Sequence, residues 1–201
     1  MFPLCSGAMP EQLALPGLLP APTDRLFFAV LPDAAATAQA VAVTDTLYAA
    51  NGLSGRRLPP RRLHVTLHHV GDFAGLPMDV TARAQAAGDA LRHAPVSIRF
   101  DRAGSFVRRH RTLPLVLRGG GRVIPLIAFQ HALGQAMARQ GFGHAPSAHY
   151  TPHMTLLYDP RYVEAGAVTP VEWTAREFVL IRSLIGKARY EVMGRWDLAE
   201  E

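Results

Sequence analysis

The chain has 201 residues, 49% of them apolar and 18% charged, with a formal net charge of +5. That length makes one large domain or two small lobes around a shared core, and the basic balance suits a polyanionic partner such as RNA. Cys5 is the only cysteine, which excludes an internal disulfide and any cysteine-built zinc site; no apolar run reaches the roughly 18–20 residues of a membrane-spanning helix.

Residues 1–23 hold Pro3, Pro10, Pro16, Pro20 and Pro22, a density that resists helix and sheet alike. A disordered or loosely docked tail is expected there, with a single domain over 24–201. No charged region followed by a solid apolar stretch opens the chain, so no secretory signal is expected and the cytoplasm is the expected location. The apolar run over 26–31 reads as a buried strand. Pro32 and Asp33 open a helix that alanines sustain to position 50, where Asn51-Gly52 ends it. A basic loop with Arg56, Arg57, Arg61 and Arg62 follows, then a strand over 63–70 stopped by Gly71-Asp72. A helix is predicted over 80–93, strands over 96–100 and 113–117, a turn at Gly119-Gly120-Gly121, and a helix over 125–140 ended by Gly141. A loop over 143–147 leads to a strand over 150–158, and strands over 177–183 and 189–198 close the chain through a turn near Gly186. Several strand pairs are joined too tightly for parallel crossover. The fold class is therefore α+β with antiparallel sheets.

One short pattern occurs twice. Leu63-His64-Val65-Thr66-Leu67 and Pro152-His153-Met154-Thr155-Leu156 both read His-apolar-Thr-Leu within a predicted strand. Side chains alternate across a strand, so each His and Thr share one face while Val65 and Met154 take the other. In-line cleavage of a phosphodiester needs a base for the attacking oxygen and an acid for the departing one. Histidine serves both because it titrates near neutrality. Threonine hydroxyls can donate to the non-bridging oxygens, where transition-state charge gathers. Two such pairs around one phosphate supply these parts without a metal or cofactor.

The paired motif resembles the two-histidine (2H) phosphoesterase superfamily and, within it, the bacterial RNA 2',3'-cyclic phosphodiesterases, also called 2'-5' RNA ligases. The opening Arg25-Leu26-Phe27-Phe28-Ala29-Val30 agrees. So do Gly71, Pro152, and the tail Phe178-Val179-Leu180-Ile181-Arg182-Ser183 with Gly186, Tyr190 and Leu198. The resemblance covers residues 25–198. It implies a bilobal, pseudo-symmetric fold: two antiparallel sheets face a central cleft, with helices outside. It also implies hydrolysis of a terminal 2',3'-cyclic phosphate to a 2'-phosphate, with 2'-5' joining as the reverse. His64 would then be the acid releasing the 3'-oxygen, His153 the base activating water, and Thr66 and Thr155 the phosphate holders. The implied partner is RNA or an oligonucleotide with a cyclic phosphate end. Neither a membrane nor an obligate protein partner is called for, and a monomer is assumed.

The chain departs from that pattern in two places. His69 stands where an aromatic often lies five residues after the first His, and Tyr158 stands where an arginine often follows the second. Arg161 is a candidate replacement from the adjoining loop, and Tyr158 would stack on a base or pack. His68 is predicted on the motif face, lining the cleft or in solvent, and is carried as a substrate-contact candidate. A metal site from His64 and His68 is disfavoured, because four strand residues separate them by about 13 Å. His144 and His149 precede the second motif and read as surface residues. Arg118 and Arg122 flank the glycines, and Phe106 with Arg108, Arg109 and Arg111 pairs a ring with charge. No nucleophile elbow, Walker or Rossmann pattern occurs. Two rival functions stay open: a phosphodiesterase for small cyclic nucleotides or nucleotide-sugar cyclic phosphates, and a non-catalytic RNA- or nucleotide-binding module.

Overall fold

The computed structural model describes residues 20–107, 111–120, 123–143 and 150–199. Most of the proline-rich tail, Arg108, Arg109, Arg122, and the loop with His144 and His149 lie outside the described residues. Strand β1 (Asp24–Val30) leads to helix α1 (Ala34–Ala50), and β2 (Arg56–Arg57) to a single 3-10 turn (Pro60–Arg62). Then come β3 (Val65–Phe73), α2 (Met78–Asp89), β4 (Val96–Ser105), β5 (Leu113–Arg118) and α3 (Ile124–Arg139). β6 (His153–Asp159), β7 (Gly166–Ala175), β8 (Glu177–Leu184) and β9 (Arg189–Asp197) complete the order. Asp33 caps α1 by accepting from the Ala36 amide at 2.8 Å, satisfying one of the donors that a helix start leaves open.

The strands form a fully antiparallel array in the order β7-β4-β5-β6-β3-β1-β8-β9, with β2 added on β6. Its two four-stranded halves, β9-β8-β1-β3 and β6-β5-β4-β7, meet only at the pair Val65↔Met154. These halves are the two predicted sheets, continuous through that one contact. The motif strands β3 and β6 are the innermost strand of each half, so the repeat in sequence becomes a repeat in space.

One large core spans both halves under the three helices. Helix α1 follows β1 in the first half yet packs on β7 and β6 of the second, while α3 lies against α2, β4 and β3. Phe28, Phe100, Phe129 and Phe178 are among its fully buried side chains. Burying a residue of that size contributes about 1.5–3 kcal/mol. No described helix is long and apolar enough to cross a membrane.

Several elements differ from expectation, among them β2 within the expected basic loop and β4, which runs on to Ser105. Strand β7 was not predicted, because Pro170 interrupts it. It survives as an edge strand, and the register opposite it shifts between Phe100 and Arg102 around that proline, as proline in sheets requires. Helix α2 ends at Asp89 instead of position 93. Gly71-Asp72 does not stop β3, which continues to Phe73 with Gly71 paired to Leu26. A Cβ at Gly71 would lie 2.4 Å from the far end of the Phe73 ring, which would have to shift.

Candidate active site

The site grows out of the seam. Val30, Val65, Met154 and Leu117 form one row across four strands, each 0% exposed. Residues one step away on either strand must point to the opposite face. That face therefore receives His64 and Thr66 from β3 and its lead-in, and His153 and Thr155 from β6. In an antiparallel pair the residue before one partner sits beside the residue after the other. His64 is thus placed beside Thr155, and Thr66 beside His153. A pseudo-two-fold constellation of two imidazoles and two hydroxyls results. Tyr150 ties the halves together, its hydroxyl donating to the Thr66 carbonyl at 2.9 Å.

Both imidazoles are held the same way. His64 Nδ1 lies 2.8 Å from the Arg62 carbonyl and His153 Nδ1 2.9 Å from the Thr151 carbonyl. A carbonyl can only accept, so Nδ1 carries the hydrogen in each ring and proton exchange with a ligand falls to Nε2. A phenyl ring flanks each: Phe27 at 5.0 Å from His64, Phe106 at 4.9 Å from His153. His64 has a second wall, the edge of Tyr190 at 5.7 Å. The Arg62 guanidinium covers that tyrosine ring at 4.4 Å and donates to its hydroxyl. Burial lowers the pKa of His64 below its ordinary value of 6.5; the bond to Arg62 opposes this, and the charges of His153 and Arg62 add to it.

Each motif ends in a β-bulge at its leucine. In the first, Ala29 pairs with Thr66 and Phe28 with His68, passing over Leu67. In the second, Val116 pairs with Thr155 and Leu115 with Leu157, passing over Leu156. The extra residue reverses the alternation beyond it. His68 is corrected on this ground: it turns to the helix side, 7% exposed, with Nε2 2.7 Å from the Gln130 carbonyl of α3. His69 and Tyr158 take the cleft face instead, opposite Phe27 and Pro114. Both lie five residues after a motif histidine, so the bulge is why that offset matters. His69 contacts Asp72 at 2.8 Å, and Arg25 grips the same carboxylate at 2.7 Å with two nitrogens. These bonds hold Asp72 well below the usual carboxylate range, Arg25 first.

Tyr158 is 45% exposed and stands across from Arg56 of β2. Arg161 is also corrected. Its guanidinium donates to the Asn51 carbonyl at 2.9 Å, and its amide to Asp159 at 2.7 Å. It staples the end of α1 to the end of β6 and is not directed to the paired motifs. The cation beside the second motif is Arg118, the cross-strand partner of His153. Along the chain Arg118 stands out only as a neighbour of the glycines; the pairing register that brings it to the motif is non-local. No group of three metal-ligating side chains exists among the described residues.

A family model described as the 2'-5' RNA ligase superfamily matches residues 27–186. No curated protein matches. Among solved structures, Escherichia coli LigT in apo form is 27% identical, with a TM-score of 0.65, covering 90% of this chain and 100% of its own. LigT complexed with 3'-AMP gives 27%, 0.62, 90% and 100%. TT0787 of Thermus thermophilus, at 22% identity and a TM-score of 0.68, covers 88% of this chain and 100% of its own and shares the fold.

Proposed function

Because this chain belongs to the 2'-5' RNA ligase superfamily, we propose that it hydrolyses RNA 2',3'-cyclic phosphate ends to 2'-phosphates, and joins ends through 2'-5' bonds in reverse. The observation that carries the reading is the paired constellation: two His–Thr couples on one face of one seam, both Nδ1 atoms pinned to carbonyls two residues upstream. LigT is recorded in complex with 3'-AMP, and nucleotide recognition carries over as part of the proposal.

In this mechanism the cyclic phosphate lies between the imidazoles. His153 Nε2 takes a proton from water as its oxygen attacks phosphorus. The P–O3' bond breaks on the opposite side, and His64 Nε2–H protonates the departing 3'-oxygen, leaving a 2'-phosphate. Thr66 and Thr155 donate to the non-bridging oxygens as charge develops there. The depressed pKa of His64 makes its imidazolium a ready donor but a scarce one in the empty site. A bound phosphate brings negative charge against Nε2 and raises that pKa, so the proton arrives with the substrate.

The decisive experiment supplies RNA with a 2',3'-cyclic phosphate end and identifies the phosphate isomer formed. A 2'-phosphate product is expected. A 3'-phosphate product would reverse the regiochemistry, and saturable binding without product would leave a non-catalytic module. Faster turnover of nucleotide-sugar cyclic phosphates than of RNA ends would move the substrate class.

A further inference from the structure

Beside the paired motifs lies an open pocket of about 290 Å³, walled by Arg25, Arg56, Arg62, Leu184 at the end of β8, and Ile185 and Gly186 in the turn to β9. The paired histidines and threonines do not line it. It adjoins them through Arg62, whose carbonyl holds His64 and whose guanidinium covers Tyr190. Asp72 is the carboxylate bound to a lining arginine, and it is consumed by Arg25. No hydrogen bond or ion pair among the described residues engages the Arg56 guanidinium. The Arg62 Nε–H is buried with no acceptor among them, a donor that folded proteins rarely leave unsatisfied. Tyr158, exposed on the cleft face, stands across the strand from Arg56.

Guanidinium donors in excess of carboxylates are built for phosphate oxygens, and an exposed ring next to them is a stacking platform for a base. We infer that this cavity is a second phosphate subsite, which holds the phosphodiester of the penultimate nucleotide while Tyr158 stacks on a base. The inference rests on the proposed reaction and adds the substrate's length: at least two nucleotides. The cation that the second motif lacks at position 158 is then supplied by Arg56, directly across the strand from Tyr158, and by Arg62.

The test uses the full chain and two ligands: a diribonucleotide ending in a 2'-phosphate, and the same molecule with its internal linkage replaced by an uncharged methylphosphonate. The native protein should bind the charged form about tenfold more tightly, the scale of one charge-assisted hydrogen bond, and Arg56→Gln should abolish that ratio. Arg56 is exposed on a two-residue strand, so the variant will fold. In parallel, kcat/KM for a dinucleotide cyclic phosphate should exceed that for a mononucleoside cyclic phosphate, and Arg56→Gln should shrink the gap. Equal binding of both linkages, or a ratio untouched in the variant, overturns the subsite. Failure to hydrolyse any cyclic phosphate overturns the reaction instead, and the binding ratio still decides the subsite.

Discussion

The two halves of the molecule carry the same His–Thr arrangement in different surroundings. Both histidines are pinned through Nδ1 to a carbonyl two residues upstream, both motifs close in a bulged leucine, and both have a phenyl neighbour. His64, however, is also walled by Tyr190, whose ring the Arg62 guanidinium covers. Only His153 has an arginine as its cross-strand partner, and only its strand is extended by β2. In the proposed reaction, symmetry of position supplies attack and departure on opposite sides of phosphorus, while burial lowers the pKa of His64.

The strongest test of that comparison removes each imidazole in turn. His64→Ala and His153→Ala should each lower kcat by about a thousandfold, with no loss on treatment with EDTA. One variant retaining most of its turnover would show that the halves do not act as a pair. The hydroxyls come next: Thr66→Val and Thr155→Val should each cost about a hundredfold in kcat, the scale of a lost oxyanion donor. Unequal losses would measure how far the phosphate sits toward one half.

Stability probes the feature found on the second half alone. The Asp159 carboxylate accepts from the Ser54 and Gly55 amides, and a Cβ on Gly55 would lie 2.0 Å from the Tyr158 carbonyl oxygen. Gly55→Ala should cost about 2 kcal/mol by overpacking, read as a lower urea midpoint. A value near zero would mean that β2 is not clamped to β6.

The smallest effect is in pH dependence. An acid must be protonated, and the free-enzyme pKa of His64 lies below 6.5. The kcat/KM profile should therefore fall as pH rises through that value, while kcat, which reports the substrate complex, holds to higher pH. Tyr190→Ala opens the His64 wall to water and should move the kcat/KM limb upward toward 6.5. A rate that instead rises through that pH would assign His64 the role of base.

The local chemistry was legible along the chain: which strands carry His-x-Thr, that His and Thr share a face, and that the fold is α+β with antiparallel pairing. Those follow from residue type and from the two-residue period of a strand. The remainder depends on strand register, which no local pattern carries. The bulges at Leu67 and Leu156 send His68 to the core and bring His69 and Tyr158 to the cleft, because one unpaired residue reverses every side chain beyond it. Strand β7 was hidden by Pro170, which an edge position tolerates. The roles of Tyr190, Arg62 and Arg118 beside the histidines, and the loss of Arg161 to the end of α1, come from partners 35 to 128 residues away. No spacing rule along the chain reaches across such separations; the closing of the sheet around Val65 and Met154 sets them.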